Sequence, residues 1–305
     1  MTPLAGIPIR ELFSPFGHRD FDRKAFAVFT AYIDDSGSRE SNLFTLSCLV
    51  GWGSEWFWFE QAWVKLLEET NASLRAQNRT LLTRYHAADC SSCLNEFKGW
   101  SRSEQIAFTQ KIISIFRRHH MITISYTINL AAVKKEIPET RKNTLRFAHL
   151  ILLNHMMIEI GKRITKRKEF RPNDRIALIH DRCAYNAAML EMFDFARADP
   201  TFECGKFFTT IAPMSWQDCV PLQPADLLAY ENFKEVERQT SPRRRRKTLE
   251  FLLDLRTFGG LGASLGTEWI KEFKKLIRDW SPATRRFFFP HLRKRTKKRG
   301  AKEKR

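Results

Sequence analysis

Several features are missing from this 305-residue chain, and each absence narrows the range of functions. No run of about 18 uncharged apolar residues occurs, so no membrane-spanning helix and no membrane partner are predicted. Neither G-x-G-x-x-G nor G-x-x-x-x-G-K-[ST] is present, so no nucleotide-binding loop of these kinds is expected. Arg10, Arg19 and Arg23 interrupt the N-terminal stretch, which does not resemble a secretory signal. The expected location is cytoplasmic.

Metal-binding cysteine motifs are incomplete in this sequence. Cys90 and Cys93 form a C-x-x-C with His86 upstream, but no second C-x-x-C or H-x-x-x-H follows at finger spacing. A structural zinc site needs four ligands, so this set lacks at least one. Reduced thiols are therefore the prediction for the six cysteines, and a zinc site at these three residues is the alternative.

Acidic residues are the minority among the charged ones. The chain has 52 Lys or Arg against 34 Asp or Glu, a net charge of +18. Residues 291–305 hold nine Lys or Arg and one Glu, so +8 lies there and +10 in the rest of the chain. This balance favours a polyanionic partner, and nucleic acid is the prediction. A solubility tail and attraction to anionic lipid are the alternatives.

Apolar periodicity predicts an α/β protein. Strands are predicted over 25–34 and 43–52, joined by the polar segment 36–42 as a hairpin, and then over 121–128, 175–181 and within 202–214. Helices are predicted from Ser54 onward, over 101–119, 143–166 and 186–198, from 221 onward, and over 244–256 and 267–280. A hairpin followed by alternating helices and strands indicates a mixed β-sheet flanked by helices.

The helix expected after Ser54 carries an aromatic stripe. Trp56, Phe59 and Trp63 recur at helical spacing, with Ser54 as the predicted N-cap. Such periodicity is what packing against a core requires, so a core role is predicted for the stripe. A base-stacking platform is the alternative.

Three aspartates occupy matching places in the predicted elements. Asp34 and Asp181 end the apolar runs of two predicted strands, and Asp226 lies near a helix start that has Pro224 in its first turn. For Asp34, ordinary turn chemistry is the alternative. If the strands are neighbours, the carboxylates converge and repel one another unless a cation is bound. Hard oxygen ligands of this kind select Mg²⁺ or Mn²⁺, and a pair of such ions supports phosphodiester cleavage.

Three short blocks follow one another along the chain. They are Tyr32-Ile33-Asp34-Asp35-Ser36-Gly37, His86-Ala87-Ala88-Asp89 and Leu222-Gln223-Pro224-Ala225-Asp226-Leu227-Leu228-Ala229. Together they resemble the signature blocks of the bacterial family catalogued as domain of unknown function 3800, DUF3800, over roughly residues 28–235. The family usually has Glu where this chain has Asp35, so the second acid of the first block is shorter by one methylene.

The resemblance implies an RNase H-like fold whose acids hold divalent metal. On this basis Asp34 would be the central metal-bridging ligand and Asp226 the ligand from the helix. Asp181 would be the second-strand ligand, an assignment that comes from the strand pattern and the fold analogy because no signature block contains this residue.

The remaining residues of the blocks supply accessory candidates. His86 and Asp89 of the middle block would be accessory ligands or groups that face phosphate, and Asp35 and Gln223 are accessory candidates from the outer blocks. A hydrogen-bonded packing role is the alternative for His86. If one ligand is misassigned, the nearby acids that could replace it are Asp35, Asp218 and Glu231.

The predicted organisation has four parts. Residues 1–24 form an N-terminal extension, 25–240 the RNase H-like domain, 241–290 a helical extension and 291–305 a disordered basic tail. The basic segments predict nucleic-acid contacts at Arg243, Arg244, Arg245, Arg246, Lys247, Arg293, Lys294, Arg295, Lys297, Lys298 and Arg299.

These observations predict a metal-dependent nuclease acting on DNA or RNA, with Mg²⁺ or Mn²⁺ as cofactor. One alternative is a non-catalytic nucleic-acid-binding or assembly module that retains an RNase H-like fold. Another is a metal phosphohydrolase acting on a small substrate.

Overall fold

The computed structural model describes residues 28–38, 40–168, 170–239, 244–253, 264–278 and 282–289. The predicted N-terminal extension 1–24, Arg243 and the basic tail 291–305 with its six predicted contact residues lie outside the described residues.

A mixed sheet forms the centre of the structure. Its strands in the described residues are β1 Val28–Ser38, β2 Leu43–Trp52, β3 Ile122–Asn129, β4 Arg175–Asp181, β5 Phe208–Met214 and β6 Ser264–Leu265. They lie in the order β5-β4-β1-β2-β3-β6. β2 is antiparallel to β1 and β3, and the pairs β1–β4, β4–β5 and β3–β6 are parallel. The predicted α/β class with a mixed sheet flanked by helices is confirmed.

Helices cover both faces of the sheet. They are α1 Gly53–Ala76, α2 Ala87–Ser92, α3 Arg102–Arg118, α4 Leu130–Glu136, α5 Thr144–Thr165, α6 Asn186–Ala198, α7 Leu222–Gln239, α8 Lys247–Leu253, α9 Thr267–Arg278 and α10 Pro282–Phe288. Apolar residues of α5, α6 and α9 share one core with alternate residues of the strands, and α1, α3 and α7 share the core on the other face.

The first hairpin is tighter than predicted. β1 continues through Asp34 to Ser38, and Gly37 pairs with Phe44, so the prediction of a strand end at residue 34 and a loop over 36–42 is wrong. A Cβ on Gly37 would lie 2.7 Å from the carbonyl oxygen of Leu43. Glycine therefore lets the two backbones approach closely here, and the Ser-Gly pair marks a close strand contact instead of a turn.

One smaller prediction about local structure also needs correction. Helix α1 begins at Gly53, and its N-cap Trp52 makes no side-chain cap, so the predicted cap at Ser54 is wrong. β2 continues directly into this helix and leaves no residue free for a capping turn. Within 202–214 a single strand, β5, follows the 3₁₀ turn Glu203–Phe207.

The aromatic stripe of α1 belongs to the core. Trp56, Phe59 and Trp63 are at most 1% exposed, so the core interpretation is confirmed over the base-stacking alternative. The indole Nε1 of Trp56 donates to the carbonyl oxygen of Thr30 at 2.9 Å. This hydrogen bond attaches the helix to β1, and the buried rings provide the apolar area that holds it there.

An ion pair attaches the segment after α7 to the domain. Arg246 Nε donates to Glu231 Oε2 at 2.9 Å, and its guanidinium also contacts Ser91 Oγ at 3.0 Å. The Glu231 carboxylate is only 2% exposed, so this arginine neutralises a buried charge. The structure therefore gives Arg246 an internal role in place of the predicted phosphate contact, and Glu231 is not a spare pocket ligand.

Replacing Arg246 with Met would leave the Glu231 carboxylate buried without its partner. We expect Arg246→Met to lower the free energy of unfolding by about 3 kcal/mol, as for other buried pairs that lose one member. Urea denaturation followed by circular dichroism measures the change. Arg244→Met, at an exposed position two residues away, is the control and should change stability by less than about 0.5 kcal/mol. Equal losses in the two variants would contradict the structural role.

Candidate active site

An acidic pocket of about 280 Å³ opens between the sheet and α7. It is lined by Asp34, Asp35, Arg84, Tyr85, His86, Asp181, Trp216, Leu222, Gln223 and Asp226. Residues from all three blocks of the sequence resemblance therefore meet at one place, although more than 130 residues separate the second block from the third.

The strand register explains why two of the carboxylates are neighbours. The parallel pairing of β1 with β4 runs from Val28 and Arg175 to Ile33 and His180. Asp34 and Asp181 are the next residues on the two strands, so they lie side by side at the end of the paired region. Alternation along each strand places both on the face covered by α7. Asp226, in the first turns of α7, completes the set.

Asp35 lies at the pocket's edge and also approaches the other face. Its Oδ1 is 3.9 Å from Nε2 of His149, a buried residue of α5. Burial raises the pKa of the Asp35 carboxyl to about 6 and lowers that of the His149 imidazole to about 4. Asp35 therefore borders the acidic pocket, but its carboxylate approaches α5 on the other face of the sheet, unlike the other three carboxylates.

Burial and mutual repulsion perturb the three converging carboxyls. The pKa of Asp34 is raised well above its usual value, first by burial and then by Asp226, Asp35 and Asp181. Burial raises the pKa of Asp226 to about 6, although His86, the backbone N–H of Ala87 and Arg84 act in the opposite direction. Burial likewise raises the pKa of Asp181. The cluster thus resists full ionisation and would bind a cation favourably.

Two side chains of α7 hold the loop that forms the pocket's outer wall. Gln223 Oε1 accepts from the backbone N–H of Tyr85 at 2.9 Å, and Asp226 Oδ2 accepts from that of Ala87 at 2.7 Å. Gln223 Oε1 also accepts from Nε1 of Trp63 at 3.0 Å. The predicted accessory residue Gln223 is thus a buried support that fixes the loop.

His86 and Asp89 form a pair beside the aspartates. Nδ1 of His86 lies 2.9 Å from Oδ2 of Asp89, which is within ion-pair distance. The two groups are not aligned as in a hydrogen bond. Burial opposes ionisation of Asp89, but the neighbouring Asn95, His86 and Arg84 side chains outweigh it and lower its pKa. His86 lines the pocket and Asp89 lies behind it, so the carboxylate acts on the ring's orientation.

In the part of the chain that the structure describes, no group of three or more His, Cys, Asp or Glu side chains is positioned to hold a metal ion. This result bears on both metal predictions. The zinc alternative has no support, because the Cys90 thiol is buried and its pKa is raised to about 12 by that burial. The aspartate cluster shares a pocket, but a divalent ion would have to draw its carboxylates together.

Sequence reasoning missed two residues of the pocket. The guanidinium of Arg84 lies over the indole ring of Trp216, with its central carbon 3.7 Å from the ring centroid. Arg84 stands two residues before the middle block and carries no motif signal. Trp216 follows the end of β5, so the strand-end argument that selected Asp34 and Asp181 could have indicated it.

The described basic residues expected to contact nucleic acid have different environments. Arg244 and Lys247 are exposed, whereas Arg245 lies 3.4 Å from the carboxylate of Glu235. Asp218, the last replacement candidate, is exposed and does not line the pocket. Arg246 is therefore held by a buried ion pair and Arg245 by one at the surface, whereas Arg244 and Lys247 form no ion pair among the described residues.

Comparison of the chain with protein-family models, with curated proteins and with solved structures found no match. The resemblance to DUF3800 therefore stays a prediction based on the three blocks. A search of the described helices for one long and apolar enough to cross a membrane also found none.

Removing one charge from the pocket should stabilise the metal-free protein. Asp34→Asn keeps an oxygen to accept the Asp35 N–H and ends the repulsion with the other acids. In EDTA at about pH 7 we expect the Tm to rise by about 2–5 °C. Thermal unfolding measures this, with Asp194→Asn on the exposed side of α6 as the control. An unchanged or lower Tm in Asp34→Asn would contradict the electrostatic account.

The pH dependence of stability tests the same repulsion. The pKa of Asp226 is about 6 in the folded protein, against about 3.9 for an unperturbed Asp, so the folded state binds more protons between these values. Wild-type stability should therefore fall as the pH rises from about 4 to about 6. The fall should be smaller in Asp34→Asn, because Asp34 no longer ionises.

Proposed function

We propose that this protein is a metal-dependent phosphodiesterase of the nuclease type, built on an RNase H-like fold. The observation that carries the proposal is the meeting of Asp34, Asp181 and Asp226 from β1, β4 and α7 in one pocket. A sheet that begins with a hairpin and adds β4 parallel to β1 agrees with the fold that the three sequence blocks imply.

The donor chemistry of the pocket suits Mg²⁺ or Mn²⁺. All three candidate ligands are carboxylates, the hard oxygen donors that these ions prefer over sulfur. The raised pKa of Asp34 reflects a concentration of negative charge that a divalent cation would relieve. When bound, such an ion would activate water and stabilise the leaving oxygen of a phosphodiester.

The chain's own residues would have separate tasks in this reaction. Asp34 and Asp181 lie on adjacent strands and would supply two of the ligands, which a bound ion would draw together. Asp226 is held by its hydrogen bond to the N–H of Ala87, which directs one oxygen to the loop and leaves the other for a ligand. His86, which lines the pocket next to Asp89, would face a phosphate oxygen of the substrate.

The net charge of +18 supports nucleic acid as the substrate class. Phosphate contacts from lysine and arginine would raise affinity without reading sequence. Binding should then weaken steeply as salt rises from about 50 to about 200 mM.

Cleavage assays test the proposal directly. Labelled single-stranded and duplex DNA, RNA and hybrid are incubated with Mn²⁺ or with EDTA. We expect Mn²⁺-dependent cutting that falls at least about 100-fold in Asp34→Asn, because this change removes a charge at the reacting centre. Asp194→Asn should cut like the wild type. Cutting that persists in EDTA or in Asp34→Asn would contradict the metal-dependent mechanism.

A non-catalytic nucleic-acid-binding module is the second candidate. The observation that favours it is the absence, among the described residues, of three side chains already positioned around one metal ion. Such a module would bind nucleic acid with strong salt dependence, and Asp34→Asn would leave binding intact. Turnover of free nucleotides without cutting of polymers would instead indicate a small-substrate phosphohydrolase.

A further inference from the structure

Arg84 is a cation of the pocket wall that has no ion-pair partner among the described residues. The central carbon of its guanidinium lies over the Trp216 ring, 3.7 Å from the ring centroid, and both side chains line the pocket with the aspartates. The next residue along the chain, Tyr85, is tied to Gln223, so the loop that carries Arg84 is anchored by a buried hydrogen bond. Arg84 is thus held at the pocket while its donors stay uncommitted.

Two other arginines that lie over aromatic rings differ in this respect. Arg79 lies over Trp100 at 5.6 Å but forms an ion pair with Glu104. Arg246 lies over Tyr230 at 5.3 Å and forms its ion pair with Glu231. In both, a carboxylate lies within ion-pair distance of the guanidinium. Among the described residues no carboxylate is that close to Arg84, which attracts Asp89, Asp181 and Asp226 only from a longer distance.

A stacked guanidinium keeps its edge available for hydrogen bonding. Stacking occupies the flat face, and the N–H donors point outward in the plane, in a fork that matches two oxygens of a phosphate. The half-buried position strengthens such contacts relative to those at an exposed arginine.

We propose that Arg84, supported by Trp216, binds a phosphate of the substrate in this pocket. This inference rests on the proposed function, because it identifies the side chain that would bind the phosphate of a nucleic-acid substrate. Four acids repel a phosphodiester, so a pocket that admits one needs a positive charge on its wall as well as any bound metal. Trp216 acts as a positioning residue that fixes the plane of the guanidinium.

Phosphate binding by Arg84 variants tests the proposal. Calorimetric titration at about pH 8 uses inorganic phosphate and the dinucleoside monophosphate TpT as probes, with Mn²⁺ and with EDTA, and thymidine as the ligand that lacks phosphate. We expect Arg84→Gln to weaken binding of both phosphate probes about tenfold, which is about 1.4 kcal/mol at room temperature. Arg84→Lys should lose less, because it keeps the charge and loses the fork.

Mn²⁺ affinity separates a local role from damage to the pocket. Removing a positive charge near Asp181 and Asp226 should leave Mn²⁺ binding unchanged or tighter in Arg84→Gln. Weaker binding of both Mn²⁺ and phosphate would mean that the pocket has collapsed, which would overturn the proposal. Arg79→Lys, at the other arginine stacked on a tryptophan, is the control and should bind phosphate like the wild type.

The outcomes for the two proposals are distinguishable. Phosphate affinity that does not change in Arg84→Gln, or no phosphate binding by the wild type, would overturn the role of Arg84 even if Mn²⁺-dependent cleavage is found. Loss of phosphate affinity in Arg84→Gln without any cleavage by the wild type would support the subsite and contradict the nuclease. Trp216→Leu should weaken phosphate binding less than Arg84→Gln, whereas Trp216→Phe should retain it because the ring face remains.

Discussion

The parallel register between β1 and β4 is the constraint on which the site depends. Because the pairing ends at Ile33 and His180, the next residue on each strand is an aspartate, and both face α7. A shift of one residue on either strand would turn one carboxylate into the opposite core, among the apolar side chains of α5 and α6. Burial of the flanking residues Ile33, Tyr32 and Leu178 fixes the register, so core packing and site geometry are specified together.

Helix α7 converts that pair of strand residues into a pocket. Small polar residues of β2 and β3 face it, and its Asn232 donates to Thr127 at 2.9 Å, which lets the helix lie close to the sheet. At its N-terminal end, the side chains of Gln223 and Asp226 accept hydrogen bonds from the backbone N–H groups of Tyr85 and Ala87. The same aspartate thus serves as a loop anchor and as a member of the acidic cluster.

Much of the fold was predictable because local periodicity reflects which face of an element is buried. The alternation in β3 and the aromatic stripe of α1 gave correct elements, and the helix predicted over 101–119 begins at Arg102 after the N-cap Ser101, where the capping box with Glu104 is present. The end of β1 was not predictable in the same way. Gly37 has the same sequence signature in a turn as in a close strand contact, and only the partner strand distinguishes them.

The site was predictable where a carboxylate follows an apolar run or a short sequence block carries the signal. The aspartates stand out because a carboxylate after an apolar run is unusual, whereas Arg84 and Trp216 meet across more than 130 residues with no local pattern. For Arg246, a local pattern was present but misleading. The basic run suggested a surface contact, whereas the structure pairs Arg246 with the buried Glu231 of α7. Charge composition indicates a class of partner, but burial decides which charged side chains remain exposed and able to bind that partner.

The acidic cluster is a local conflict within an otherwise consistent structure. Burial and repulsion raise the pKa of Asp34 and Asp226, so the folded state is less stable at neutral pH than it would be with neutral side chains there. The chain offsets part of this cost with cations placed around the pocket, Arg84 among them, and with the N–H of Ala87. None of these contacts neutralises Asp34 directly, and what lowers its pKa is the hydrogen bond that it accepts from the Asp35 N–H. The central carboxylate is thus left undercompensated, and a positive ligand would relieve this imbalance, which is how the fold connects to the proposed chemistry.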